Sequence, residues 1–383
     1  MFKRFSGVNA YLIPRLKPNP QLKPCPQLKR RSLARLFSLA SVKHAFSRIN
    51  LYLFASAFLL TTAVSSVAVK ANDELRFFRI GAGPTSETLY ALSTAISAGI
   101  SRPPGTLPCD TLGGVCGVPG LIAVAQSKTG SIENLRDLRT GEVESALVRA
   151  DVANQAFKGI GPFLHEGENT NLRVIANMFP VTAHIIVLGS SDIHSVSDLK
   201  GKKVSIGAEG SGTRLFARAM LQAYDMDLYS IRYRNMLPGT AIDRLAEGEL
   251  DAAIVIGAAP IDALANLGKT IELRFLPIEG ENRETLKRIY AHLEDAQIRE
   301  GSYGNPKALD TVSIDVQWIV DANADISLIE DITQALWRSE TEELFLRNNP
   351  QHLFPIRDKS LPHGLIPVHR GAENYYRASG LIQ

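Results

Sequence analysis

From about residue 78 onward the chain alternates short apolar runs with amphipathic stretches. A β-branched and aromatic run precedes Gly81, and another precedes Gly207; both suit buried strands. Beyond each glycine the apolar residues fall at helical spacing: Leu89, Leu92 and Ile96 in one case, Leu215, Phe216, Ala219 and Met220 in the other. The same plan of strand, Ile-Gly-Ala, small polar loop with threonine, and helix is therefore predicted for Phe78–Ser97 (FRIGAGPTSETLYALSTAIS) and Val204–Gln222 (VSIGAEGSGTRLFARAMLQ). A second pair follows in the same order, Leu138–Val148 (LRTGEVESALV) and Leu245–Val255 (LAEGELDAAIV). Each ends a helix at a glycine suited to a left-handed C-cap and then enters an apolar strand. The paired glycines are 60 residues apart in the first copy (81 to 141) and 41 in the second (207 to 248). The excess matches a Pro- and Gly-rich excursion, PPGTLPCDTLGGVCGVPG, around Cys109 and Cys116.

Two α/β lobes of similar plan follow, the first carrying an extra loop. Strand–helix alternation predicts a mostly parallel sheet in each lobe, flanked by helices, with ligand-binding loops at the carboxyl ends of the strands. Two such lobes with their loops facing make a hinged interlobe cleft, the architecture of an extracytoplasmic binding protein. Near the end, Thr311–Val320 reads as a strand and Ile326–Leu346 as a helical stretch with Ile329, Ile332, Leu336 and Leu344 inward. Trp318 and Trp337 are core candidates, and Tyr375 and Tyr376 pack a final helix. The expected division is a leader over 1–71, lobe 1 over 72–180, lobe 2 over 181–300, and a segment over 301–383 that completes lobe 1 and the hinge.

Composition narrows the classes. Of 383 residues, 45% are hydrophobic and 21% charged, enough to bury a real core, which excludes disorder as the main state. The overall charge of +3 conceals an asymmetry. Residues 1–71 hold 12 Lys and Arg and no acid, so the rest of the chain stands at −9, with 30 basic against 39 acidic residues. An acidic body argues against nucleic acid as a partner. Leu51–Val69 is uncharged, follows Lys43 and Arg48, and runs into small residues, the layout of a secretory signal. It is also about long enough to be an uncleaved anchor; cleavage is favoured by its Ala/Ser/Thr-rich second half. Both readings put the body outside the cytoplasm. In such a compartment Cys109 and Cys116 are expected to form a local disulfide, the alternative being two free thiols.

The loops carry the candidate chemistry. GAGPTS (Gly81–Ser86) is a degenerate dinucleotide fingerprint, and EGSGT (Glu209–Thr213) lacks the lysine of a P-loop, so no nucleotide cofactor is expected. Both loops offer backbone N–H groups and hydroxyls at a helix N-terminus (Gly83, Thr85 and Ser86; Ser211, Gly212 and Thr213), a carboxylate or phosphate site. The competing reading is that the glycines only permit tight turns. In TGSIEN (Thr129–Asn134), Ser131 and Asn134 are either ligand contacts or plain capping groups. Arg149 stands at a strand end, where its planar fork suits a carboxylate, unless Asp151 simply pairs with it. The matched stretch Ile256–Pro260 is small and uncharged, and Ala258 and Pro260 leave room for a ligand. The histidines show no metal-ligand spacing, and no nucleophile–histidine–acid context is evident, so neither a metal site nor an enzyme is expected. An exported enzyme using Arg149 with Glu87 or Glu209, and a ligand-sensing module, remain the rival classes.

The motifs in order resemble the TAXI-type solute-binding subunits of TRAP (tripartite ATP-independent periplasmic) transporters: Ile80–Tyr90, Thr129–Asn134, Leu147–Ala153, Val204–Thr213, Asp251–Pro260 and Pro367–Tyr376. The stretch Cys109–Gln126 is similar to a subset of that family carrying such a cysteine pair. The resemblance covers about Arg79 to the end. It implies a two-lobed, type II-like periplasmic receptor that captures an organic anion or amino acid of the glutamate or 2-oxo-dicarboxylate type. That solute would be delivered to a membrane permease driven by an ion gradient. It also implies that the first glycine loop with Tyr90, Asn134, residues 149–151, and the second loop with Glu209 face the ligand. The chain departs from the family at Pro84 and Glu87, where glycines are usual, at Arg149 and Ala150, where glutamine and serine are common, and at Asn154, where tyrosine is common. Glu87 facing a new arginine changes the ligand-facing chemistry, and Arg149 favours a carboxylate.

Overall fold

A computed structural model describes residues 75–348, 355, 357–362 and 364–383. The signal or anchor expected over 51–69 lies outside the described residues. The first repeat copy gives β1 (Arg76–Gly81) and α1 (Thr88–Ile100), then β2 (Ser101–Arg102), β3 (Val118–Pro119), β4 (Leu121–Gln126), α2 (Ser131–Thr140), β5 (Ser145–Arg149) and α3 (Ala150–Phe157). After β6 (Leu172–Leu188) the second copy gives β7 (Lys203–Ser205), α4 (Gly212–Ala223), β8 (Arg232–Arg234), α5 (Pro238–Ala246), β9 (Ala252–Gly257) and α6 (Asp262–Leu267). The chain then runs through β10 (Leu273–Phe275), α7 (Gly280–Ile289), β11 (Glu294–Ile298), β12 (Leu309–Asp321), α8 (Ile326–Leu336), α9 (Ser339–Asn348) and α10 (Arg370–Ala378). Gly141 and Gly248 both sit at helix ends with φ of 76° and 73°, a conformation that disfavours a Cβ.

Each repeat builds a parallel trio, β4-β1-β5 in the first lobe and β9-β7-β8 in the second. The two trios are not separate sheets. Two long strands, β6 and β12, run antiparallel between them and join everything into one path, β4-β1-β5-β12-β6-β9-β7-β8. β6 pairs β12 over 172–182, β9 over 182–186 and β10 over 186–188, so a single strand serves both lobes. β12 pairs β5 at one end and β11 at the other. The lobe boundary expected at 180/181 therefore falls inside β6. Pro180 stands opposite Asp315 there and cannot donate to the ladder, and the β6–β12 register shifts between Asp315 and Gln317. The ladder is thus interrupted where the two strands pass from lobe to lobe.

One buried cluster runs along both lobes, from Phe78, Ile80 and Leu92 through Trp318 and Val181 to Val204, Phe216 and Met220. Separate clusters cover the other face of each lobe, around Leu135, Val148 and Val152 in the first and Ile242, Leu245 and Val255 in the second. Trp318 is fully buried, edge-on to Phe78, with its indole N–H donating to Ser145 Oγ at 3.0 Å. The stretch expected as one helix over 326–346 is two helices, α8 and α9, broken around Trp337–Arg338. The guanidinium of Arg338 at that break donates to the carbonyl of Cys116. Cys109 and Cys116 are joined by a disulfide, and the β2–β3 pair closes the base of their loop.

Candidate functional site

Loops at the carboxyl ends of strands from both lobes touch one another. Gly130 follows β4, and a Cβ there would lie 3.3 Å from Ser211 Cα, on the loop after β7. A Cβ on Gly210 would lie 3.4 Å from Thr129 Oγ1, and one on Gly212 would lie 3.2 Å from Arg149 Nη1. The Gly130 and Ser211 backbones, and the Thr129 and Arg149 side chains against Gly210 and Gly212, meet this closely because glycine occupies each position. They enclose a cavity of about 30 Å³, roughly room for one water molecule. Glu87, Thr88 and Leu89, Thr129–Ser131, Arg149, Val181, Ser211–Thr213, and Ile256 with Gly257 line it. Val181 adjoins the interrupted ladder, so the cavity sits against the strands that link the lobes.

Three helices point their N-termini at this cavity: α1 through Thr88 and Leu89, α2 through Gly130 and Ser131, and α4 through Gly212 and Thr213. First-turn N–H groups have no acceptor within their own helix and carry the positive end of its dipole. Ser211 caps α4, its Oγ accepting from the Arg214 N–H at 3.4 Å and donating to the Ala208 carbonyl at 2.7 Å. Glu87 holds the equivalent cap position of α1, yet its side chain does not cap.

Arg149 is the one full positive charge in the cavity wall. Only 4% of it is exposed, and α3 places Asp151 directly beside it. Arg149 donates through Nε to Asp151 Oδ1 at 3.0 Å and through Nη2 to Oδ2 at 2.5 Å, a two-pronged pair. The Tyr290 hydroxyl, arriving from the end of α7 in the second lobe, also donates to Asp151 Oδ2. Arg149 Nη2 reaches that phenol at 3.4 Å, and the Arg149 backbone N–H donates to Ser131 Oγ at 3.1 Å. Burial works against the Arg149 charge, but Asp151 foremost, with Tyr290 and Glu87, more than offsets it and the guanidinium stays protonated. Burial first, and the Asp151 charge second, push the Tyr290 phenol well above its ordinary value, so it remains a donor. Nη1 of Arg149 is buried and has no partner. An unpaired, buried, charged N–H is costly, and a ligand acceptor would relieve that cost. Glu87 shares the cavity, and burial raises its carboxyl from 4.5 to about 8 against the opposing pull of Arg149.

The expected site residues divide. Ser131, Arg149, Ser211, Gly212 and Thr213 come together around the cavity. Asp151 stands behind Arg149 and lines a neighbouring cavity of about 290 Å³ with Tyr290 and His292. Thr85 and Ser86 are exposed and outside the cavity wall, because the first loop runs two residues longer than the second before its helix begins. Tyr90, Ala258 and Pro260 also lie outside it. Gly83 is buried beneath the Glu87 carboxyl, since a Cβ there would stand 2.5 Å from Oε2. Asn134 spends its amide on the carbonyls of Ala82 (3.1 Å) and Leu147 (3.0 Å), tying the end of β1 to β5. Glu209 is largely exposed and pairs with Arg214 at 3.2 Å, away from the cavity. Thr129, Ile256 and Gly257 lie in stretches read as candidate loops without being singled out, and sequence reasoning missed Thr88, Leu89, Val181 and Tyr290. Tyr290 lies 139 residues from Asp151, and no local pattern links them.

A family model described as NMT1-like matches residues 80–380. The chain is structurally similar to the periplasmic aliphatic sulphonate binding protein SsuA from Escherichia coli, at 14% identity over 79% of this chain and 87% of that one, with a TM-score of 0.41. It is similar to an ancestral arginine-binding protein bound to arginine, at 14% identity over 72% and 100% of the two chains, TM-score 0.43. It is also similar to a chain from a study of glutathione import via GshT and the cystine importer TcyBC of Streptococcus mutans, at 10% identity over 74% and 99%, TM-score 0.46.

Proposed function

From the premise that the chain belongs to the NMT1-like family, we propose that it is an exported solute-binding receptor. It captures a small organic anion or amino acid between its lobes and presents it to a membrane permease. The observation that carries this reading is Arg149, buried with Nη1 unpartnered, in a cavity where three helix N-termini meet. Such a site favours an acid group without needing a second cation. The cavity is too small for any organic solute as it stands, so entry requires the 129–130 and 210–212 loops to part. The interrupted β6–β12 ladder is where such a hinge would bend. Shutting the loops again expels water and strengthens each polar contact.

The ordered motifs support a finer version: a TAXI-type receptor, periplasmic, serving a TRAP permease driven by an ion gradient. The rival reading as an exported enzyme needs a catalytic pair; Glu209 is exposed and engaged with Arg214, which leaves that reading Arg149 with Glu87 alone, and turnover of a bound solute, read by mass spectrometry after incubation, would favour it.

Thermal melting of the purified protein against a panel of carboxylates, sulfonates and amino acids tests the receptor reading. A ligand at 100 times its Kd adds about 2.7 kcal/mol of stability, a shift of several degrees. No response to any member of the panel would overturn it. Co-expression with a candidate permease, followed by uptake of the stabilising solute, tests the transport assignment; uptake unchanged when the receptor is omitted would remove it.

A further inference from the structure

Glu87 is a carboxyl group built into an anion site, held protonated by burial until a cation comes beside it. It stands at the N-cap of α1 but does not accept from that helix. Its carboxyl is turned over Gly83, into space that only a glycine leaves, since a Cβ there would sit 2.5 Å from Oε2. Among the described residues no side-chain hydrogen bond engages it, although it lines the same cavity as Arg149 and Thr213.

The charge balance then selects the guest. Arg149 and Asp151 neutralise each other. What remains at the cavity is a spare donor, Nη1 of Arg149 beside Gly212, the first-turn N–H groups of α1, α2 and α4, and one acid, Glu87. A 2-oxo acid would satisfy the donors and meet protonated Glu87 through no more than a neutral hydrogen bond. A dicarboxylate would bring a second negative charge that no further cation in the cavity wall meets, whereas an ammonium would take the Glu87 carboxyl as an ion pair. A solute that carries an ammonium next to its acid group satisfies both sides at once.

We infer that the solute is a zwitterion, an α-amino acid, whose carboxylate is taken by Arg149 Nη1 with the head of α4 and whose ammonium is taken by Glu87. This rests on the receptor reading above and narrows it against the 2-oxo-dicarboxylates. Glu87 is thus a specificity-determining residue, and Gly83 is the residue that makes room for it.

Calorimetric titration of the purified protein with matched pairs tests this: L-glutamate with 2-oxoglutarate, L-leucine with 4-methyl-2-oxopentanoate, and L-alanine with pyruvate. Each pair differs in the ammonium against a carbonyl. The expected result is that, in at least one pair, the amino acid binds about tenfold or more tighter than its partner. Glu87→Gln is expected to remove that preference while circular dichroism shows an unchanged fold. The wild-type preference needs no variant, so a misfolded E87Q would not rescue a failed result. A 2-oxo acid that binds as well as its amino acid, or a preference that survives in folded E87Q, would overturn the inference and leave the receptor reading standing. Silence from all pairs while a dicarboxylate or sulfonate outside them binds would do the same. Silence from every solute would remove both.

Discussion

The two glycine loops share a plan and differ in what they deliver. After Ile80-Gly81-Ala82 the chain takes two residues more to reach its helix than after Ile206-Gly207-Ala208. In the shorter loop Ser211 caps α4, and Ser211 and Thr213 are buried at the cavity. In the longer loop the extra residues, turned by the Glu87 N–H donating to the Pro84 carbonyl at 2.9 Å, leave Thr85 and Ser86 in solvent. The cap position then falls to Glu87, whose carboxyl faces the cavity instead of its helix. One copy therefore presents buried hydroxyls and the other a carboxyl group. A repeated turn fixes where the backbone goes, and loop length decides which side chain arrives.

Removing Arg149 should have the largest effect. In Arg149→Ala the buried Asp151 loses its counter-charge, with a cost of about 3–5 kcal/mol in denaturant unfolding. Any solute that stabilises the wild type should no longer do so, because the donor side of the cavity is gone; retained binding would show that α4 and α2 suffice alone. Next, Tyr290→Phe takes a donor from Asp151 Oδ2 and cuts the one phenol that crosses from the second lobe to this pair. A loss of about 1–3 kcal/mol is expected. Because that bond joins the lobes, scattering should also show a larger radius of gyration for solute-free Y290F than for the wild type. Unchanged scattering would mean that the other loop contacts keep the lobes together.

The caps separate the two copies directly. Ser211→Ala should cost about 1 kcal/mol, since α4 loses its cap. Thr85→Ala and Ser86→Ala in the other loop should stay within about 0.5 kcal/mol of wild type, as exposed side chains do. Equal losses in both loops would mean that Thr85 and Ser86 are as engaged as Ser211. The last difference between the copies is a change of slope with pH. The unfolded chain releases the Glu87 proton near pH 4.5, whereas the fold keeps it until about 8. Between those values the folded state binds more protons, so this group's contribution to stability falls as pH rises through that window and is level outside it. Glu87→Gln should flatten that part of the stability–pH curve, measured by urea midpoints from pH 4 to 9. An unaltered slope would mean that Glu87 ionises as it does in water.

Much of the fold was readable from pattern because period and turn chemistry are local. Phe216 and Met220 reach the core as their spacing requires, and Gly141 and Gly248 end helices as their lack of a Cβ permits. The site was only half readable. Arg149 could be named because it follows a repeat strand, and Asp151 because it is two residues away. Asn134 was named for the same kind of reason, but it is spent on the Ala82 and Leu147 carbonyls, which no sequence spacing reveals. Tyr290 carries no local signal, since its partner is 139 residues distant.

The amino-acid order by itself determined two copies of a strand–turn–helix unit, an inserted cysteine loop and an arginine at a strand end, because each depends on neighbours within a few residues. Only the tertiary structure decided that β6 and β12 fuse the two copies into one sheet, that Thr85 and Ser86 lie outside while Glu87 lies within, and that one arm of Arg149 is left without a partner. Those outcomes depend on burial and on the packing of distant segments, quantities set when the chain closes on itself.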